Sequence, residues 1–165
     1  MTADGRNEML TIEPAPLGGD DARTLIEALN AELSALYPEP GANHFQPDPD
    51  EVSGDRGAFL IVRRDGDPIG CGALRKLDDT TAELKRMYVA PDARGRGVGR
   101  QLIAALEAQA RALGLSRLVL ETGTRQAAAL ALYRSTGFEV IPLYGEYVRS
   151  ADTSICMGKD LASDS

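Results

Sequence analysis

Residues 81–114 hold the stretch that most restricts how this chain can fold. "TAELKRMYV" (81–89) alternates as a strand does, "RGRGVG" (94–99) sets three glycines and two arginines into six positions, and "GRQLIAALEAQARALG" (99–114) repeats apolar residues at helical spacing. Glycine costs about 1 kcal/mol relative to alanine inside a helix. Three of them at a strand-to-helix turn imply that something approaches the backbone there. The first amides of a helix have no internal partner, and the helix dipole is positive at that end. A strand, a glycine turn and a helix start together make an anion-binding device. Arg86, Arg94, Arg96 and Arg100 add local positive charge to a chain whose formal net charge is -7.

Three phosphate-binding patterns compete for this turn. A P-loop requires G-x-x-x-x-G-K-[ST], but Arg100 and Gln101 follow the last glycine. A dinucleotide fingerprint requires G-x-G-x-x-G early in a parallel βαβ unit. Gly95, Gly97 and Gly99 have the wrong final spacing, and antiparallel strands are expected before them. R-x-x-G-x-G fits directly, as Arg94, Gly97 and Gly99.

The rest of the chain reads as alternating strands and helices. Residues 9–12 form a short strand. Leu25, Ile26, Leu29, Leu33 and Leu36 mark a helix that Asp20 or Asp21 can cap and Pro38 ends. Residues 38–54, with four prolines, form a long loop of the kind that often carries function. Strands follow at 58–64 and 69–74 around a "DGDP" turn, then at 81–89. Leu102, Ile103, Leu106, Ala110 and Leu113 line one face of the next helix, which Gly114 terminates. A strand at 116–121, a helix at 125–137, and strands at 138–141 and 153–159 complete the order β-α-β-β-β-α-β-α-β-β. The "ASDS" tail is expected to be disordered.

At 165 residues, 43% hydrophobic and 26% charged, the chain suits one soluble domain. Its acidity argues against nonspecific nucleic-acid binding and toward a small or cationic substrate. No apolar run approaches membrane-spanning length, and "MTADGRNEML" has no signal-peptide core, so a cytoplasmic protein is expected. Cys71 and Cys156 form no C-x-x-C pair and are expected to be reduced, buried strand residues; no metal site is expected.

"MYVAPDARGRGVGRQLI" followed by "LYRSTGFE" (132–139) resembles the GCN5-related N-acetyltransferase (GNAT) family. The first stretch is similar to its acetyl-CoA signature, the second to its L-Y-x-x-x-G-F motif, and the likeness covers about residues 9–160. It implies a single α/β (α+β) domain: a mixed, largely antiparallel sheet of about seven strands flanked by helices. It implies acetyl-CoA as co-substrate, with the pyrophosphate on the amides of Gly95, Arg96, Gly97, Val98, Gly99 and Arg100 and with Arg94 and Arg96 near phosphate oxygens. The pantetheine arm would lie as an added strand along Met87, Tyr88 and Val89, in a gap where the fourth and fifth strands splay. One amide there would polarise the thioester carbonyl. Gln126 stands where many relatives carry an asparagine that contacts the coenzyme.

The implied reaction is direct acetyl transfer to an amine. An alkylammonium has a pKa near 10, so a base must take its proton and the leaving thiolate needs an acid. Tyr133 matches the family's acid. Glu83 and Glu121 resemble the bases of two different branches, and either can instead be a structural acid paired with an arginine; Glu83 is preferred. A period of two puts Glu83, Lys85, Met87 and Val89 on one face. Tyr144, Glu146 and Tyr147 lie where the family often lines its acceptor pocket, and suit a cationic amine. His44, the one histidine, is read as an inert loop residue. A small-molecule amine is the expected acceptor; a protein lysine or N-terminal amine, or a noncatalytic acetyl-CoA sensor, are the alternatives. A homodimer is possible; no membrane partner is expected.

Overall fold

A computed structural model of the chain describes residues 9–36, 56–149 and 151–161. The proline-rich loop, His44 and the "ASDS" tail lie outside the described residues, as does the side chain of Glu146. The elements run β1 (Leu10–Pro14), α1 (Asp20–Leu36), β2 (Gly57–Arg64), β3 (Asp67–Lys76), β4 (Thr81–Val89), α2 (Val98–Ala112), β5 (Arg117–Gly123), α3 (Ala127–Ser135), β6 (Glu139–Ile141) and β7 (Ser154–Asp160). This is the order read from the sequence. Short 3-10 turns at Pro91–Ala93 and Gly145–Arg149 interrupt stretches that carried no such signal.

The strands form one mixed sheet in the order β1-β2-β3-β4-β5-β7-β6. Every neighbouring pair is antiparallel except β4 and β5. Helices cover both faces, which explains why "AFLIV" in β2 is continuously apolar rather than alternating. Phe59 and Ile61 pack with Leu25 and Ile26 of α1, while Leu60 and Val62 join Leu102, Ile103 and Leu106 of α2. Each fully buried side chain of this size contributes roughly 1.5–3 kcal/mol. Among the described residues, no helix is long and apolar enough to cross a membrane.

Two backbone features shape the middle of the sheet. The β3–β4 register shifts between Cys71 and Ala73, so that β4 carries an extra residue there, and Arg86 sits in the left-handed region at φ 59. The bulge reverses which way the strand's side chains point. Ala82 and Leu84 belong to the α2-side core before it, and Met87 and Val89 pack against that core after it, whereas Tyr88 packs on the α1 side. The expectation that Glu83, Lys85, Met87 and Val89 share a face is therefore overturned: Glu83 and Lys85 face one way, Met87 and Val89 the other. The second feature is a split. β4 and β5 pair only from Thr81–Leu84 against Arg117–Leu120, and beyond Leu84 the strands run on unpaired with each other.

The "LYRSTGF" motif is a helix stop. Gly137 at φ 102 accepts a conformation that side chains rarely adopt. It lets Gly137 N–H donate to Arg134 O at 3.2 Å and Phe138 N–H donate to Tyr133 O at 3.0 Å. This is a Schellman cap, and its usual apolar contact is the edge-on pair of Tyr133 and Phe138, 5.7 Å between ring centroids.

Candidate active site

The loop from β4 to α2 is built for close approach. Gly95 and Gly97 take φ 80 and φ 84, and a Cβ on either would meet nothing within 4 Å. Their conformation requires glycine; their surroundings do not. Gly99 differs. A Cβ there would come within 2.8 Å of Leu132 Cδ2, so Gly99 is where α2 and α3 touch. No side chain caps the N-terminus of α2, whose N-cap is Gly97. Its first amides are therefore left without a side-chain cap beside the open surroundings of Gly95 and Gly97.

The arginines near the loop have partners within the chain. Arg94 Nε donates to Val89 O at 2.8 Å, and its Nη2 pairs with Glu32 of α1. The same guanidinium lies 5.8 Å from the Tyr88 ring centroid. Arg94 thus fastens α1 to the end of β4. Arg100 reaches toward Ser135 O at 3.5 Å, and Arg86 is buried at the bulge. Arg96 is exposed. At Gly95 and Gly97 the loop presents backbone without a side chain.

At the end of β4, Ala90 N–H donates to Ile69 O at 2.7 Å. By alternation, the Val89 backbone faces away from β3, toward the side that β5 has left. Gln126 is the N-cap of α3, half-buried and without a side-chain cap bond. Beside it, Arg125 Nη1 donates to Leu36 O at 2.8 Å, closing the C-terminus of α1 against the β5–α3 turn.

The two glutamates lie on one face of the sheet. Glu83 pairs in register with Val119, and Glu121 is two residues further along β5, just past the last rung shared with β4. Glu83 is 1% exposed. Its Oε2 accepts from Tyr144 Oη at 2.7 Å and Tyr147 Oη at 3.1 Å, and its Oε1 accepts from Arg75 Nη2 at 3.0 Å. Lys85 Nζ stands 3.8 Å from Oε1. The two tyrosine rings meet edge-on, 5.4 Å apart. Residues expected in separate roles, base and acceptor pocket, thus form one cluster. Burial first, then the charge of Glu83, pushes the Tyr144 phenol well above its ordinary range. Glu121 is half-buried, and its charge joins burial in raising the Tyr133 phenol. Tyr133 is 6% exposed and stays protonated.

The cysteines are inert by environment, as expected. Both are free and buried. Burial pushes the Cys71 thiol up to about 12, and its Sγ donates to Arg86 O at 3.2 Å. Cys156 stands opposite Glu121 in the β5–β7 register, and burial raises it too.

Sequence reasoning missed Arg75, Glu32 and Arg125, and placed Lys85 on the face of Glu83 without giving it a role. A signal existed for Arg75. In the β3–β4 turn, Asp78 Oδ1 accepts from the amides of Thr80 and Thr81, which fixes the hairpin register and sets Arg75 opposite Glu83. Nothing local points to Glu32, 62 residues from Arg94.

Comparison with known proteins agrees with this geometry. Residues 22–138 match the model of the acetyltransferase (GNAT) family. An IAA acetyltransferase of Azospirillum brasilense is 44% identical over 124 residues, 74% of this chain and 80% of that protein. A solved structure from Klebsiella pneumoniae, assigned to the acyl-CoA N-acyltransferases, superposes with a TM-score of 0.81 at 32% identity, covering 93% of this chain and 99% of the other. A GNAT family acetyltransferase of Elizabethkingia anophelis, solved with acetyl-CoA bound, shares the fold at a TM-score of 0.64 and 21% identity, covering 92% of this chain and 98% of that one.

Proposed function

This chain belongs to the acetyltransferase (GNAT) family, and from that premise we propose that it transfers the acetyl group of acetyl-CoA to a primary amine of a small molecule or amino-acid-like substrate. The observation that carries this reading is the split between β4 and β5 beyond Leu84, with a glycine loop and an uncapped helix start at the end of β4. A pantetheine arm fits such a split as an added strand, because the Val89 backbone faces it. Pyrophosphate suits the loop, because Gly95 and Gly97 present amides without side chains and the α2 dipole favours anions. The relative from Elizabethkingia anophelis, with acetyl-CoA bound, supports the choice of co-substrate.

In this reading the Val89 amide polarises the thioester carbonyl. Tyr133, held protonated by burial, supplies a proton to the leaving coenzyme thiolate. Proton removal from the amine falls to Glu83 or Glu121, which share the face above the split. Tyr144 and Tyr147 border the acceptor position. The small-molecule reading also draws support from the Azospirillum brasilense relative.

Isothermal calorimetry and thermal shift with acetyl-CoA test the coenzyme site, and coenzyme A thiol release across polyamines, amino acids, aminoglycosides and peptides tests the acceptor. Gly97→Ala and Gly97→Glu belong in the same experiment. Both carry the strain of φ 84, about 1–2 kcal/mol, but only the second adds a carboxylate where phosphate would sit. The acetyl-CoA thermal shift should persist in Gly97→Ala and vanish in Gly97→Glu. No heat from acetyl-CoA with the parent at millimolar concentration defeats the reading.

A further inference from the structure

We infer that Tyr144 is the group that takes the proton from the acceptor amine, passing its own phenolic proton to Glu83, so that Glu83 acts through a tyrosine relay rather than on the substrate. The inference rests on the acetyltransferase reading and deepens it.

The argument starts from the occupancy of one carboxylate. An ionised carboxylate has about four lone-pair sites. Glu83 accepts three hydrogen bonds, from Arg75 at Oε1 and from Tyr144 and Tyr147 at Oε2, and the Lys85 ammonium 3.8 Å from Oε1 stands over the remaining side. At 1% exposure it offers no open oxygen to an incoming ammonium. A base must come within hydrogen-bond reach of the proton it removes. Glu83 meets that condition only through one of its own donors. Arg75 and Lys85 have no lone pair to accept a proton, because both are cationic. A phenol has one: its oxygen accepts while its hydrogen is donated. Both tyrosines come from the segment between β6 and β7 and are half-buried, so they have an outer side. Of the two, Tyr144 holds the shorter bond to Glu83, 2.7 Å against 3.1 Å.

The transfer balances. The amine N–H bond breaks as the Tyr144 Oη gains that proton, and the original Tyr144 O–H bond breaks as Glu83 Oε2 gains its proton. The amine is left neutral with a free electron pair, Glu83 is left as a neutral acid, and Tyr144 ends as it began. The phenol carries no net charge at either end of the transfer. Other groups facing Glu83 are Glu121 of β5 and Cys156 of β7, on the same face by register. Burial raises the Cys156 thiol, which stays protonated.

The test is the pH dependence of kcat/KM for the best amine of the panel, from pH 6.5 to 9.5, in the parent and in Tyr144→Phe. The relay predicts a deficit of about 100-fold near pH 7. That deficit should shrink by up to about tenfold per pH unit toward the pKa of the amine, because more amine then arrives neutral and needs no base. A tyrosine that merely anchors the segment after β6 would give a deficit independent of pH, and that result overturns the relay. So does a Tyr144→Phe protein with parental rates. If Tyr144→Phe fails to fold, Glu83→Gln decides by the same pattern, since its amide cannot receive the relayed proton. An acetyl-CoA thermal shift in each variant shows that the coenzyme site is intact. A parent with no turnover on any amine defeats the acetyltransferase reading and the relay with it; a parent that turns over with a variant deficit constant in pH defeats the relay alone.

Discussion

Two buried glutamates stand on opposite sides of this sheet, and their partners differ in kind. Glu107 of α2 is 8% exposed and faces cations: Lys159 Nζ at 2.7 Å and Arg111 Nη2 at 3.6 Å. Lys159 also donates to Thr136 O at 2.7 Å and lies 5.9 Å from the Phe138 ring centroid. The cluster therefore binds α2, β7 and the end of α3 into one unit. Glu83 is 1% exposed and has two cations as well, but adds two phenols from a segment about sixty residues away in sequence. Burial is common to both, so burial alone does not set Glu83 apart. A carboxylate met only by cations can hold elements together, but it has no neutral donor through which a proton could come and go. Phenols provide that route.

The comparison breaks most easily at Glu83. Glu83→Gln should lower kcat/KM near neutral pH by about 10²–10⁴-fold, measured by coenzyme A release, while the folded fraction stays high. A variant with parental rates would show that the two clusters serve the same purpose. Glu107→Gln should do the reverse. It leaves Lys159 and Arg111 without their anion, and both are partly exposed, so the expected loss is about 2 kcal/mol in urea unfolding with activity per folded molecule unchanged. Falling activity at constant stability would move Glu107 into the site.

Alkaline stability sharpens the contrast with a smaller effect. The Tyr144 phenol is raised in the folded chain, so above about pH 10 the folded state keeps a proton that the unfolded state releases. Its contribution is complete below that pH and is lost as pH rises further. Cys71, raised to about 12, acts with the same sign from about pH 9 upward. Tyr144→Phe should therefore flatten the alkaline fall in stability in part, with Cys71, Cys156, Tyr88 and Tyr133, all raised in the folded chain, contributing to what remains. An unchanged slope, read from urea midpoints at pH 9 and pH 11, would mean that Tyr144 titrates as a solvent-exposed phenol does.

Most of the element order was legible because periodicity is a local signal. Leu102, Ile103, Leu106 and Ala110 specify α2, and the "DGDP" turn specifies a hairpin. The glycine loop was legible for the same reason, since its residues are neighbours. The bulge was not. Arg86 adopts φ 59 without the glycine or asparagine that usually announces such a conformation, so strict alternation misassigned Met87 and Val89. The meeting of Glu83 with Tyr144 and Tyr147 was not legible either. It depends on the segment after β6 folding back over β4, which no spacing within either stretch encodes. The pairing of Arg94 with Glu32 was not legible either, because a residue in an anion-binding motif can also reach a carboxylate far away in sequence.

The extra residue in β4 has a consequence beyond local geometry. It inverts parity midway along one strand, so odd-numbered residues of a single ribbon serve two faces: Glu83 and Lys85 turn charge toward the α1 side, and Met87 and Val89 turn apolar side chains toward α2. Removing Arg86 would restore uniform alternation and an unbroken ladder with β3 while leaving Met87 and Val89 on the α2 side and Tyr88 on the α1 side, so this is the one place in β4 where the sheet can lose a residue without turning the rest of the strand over.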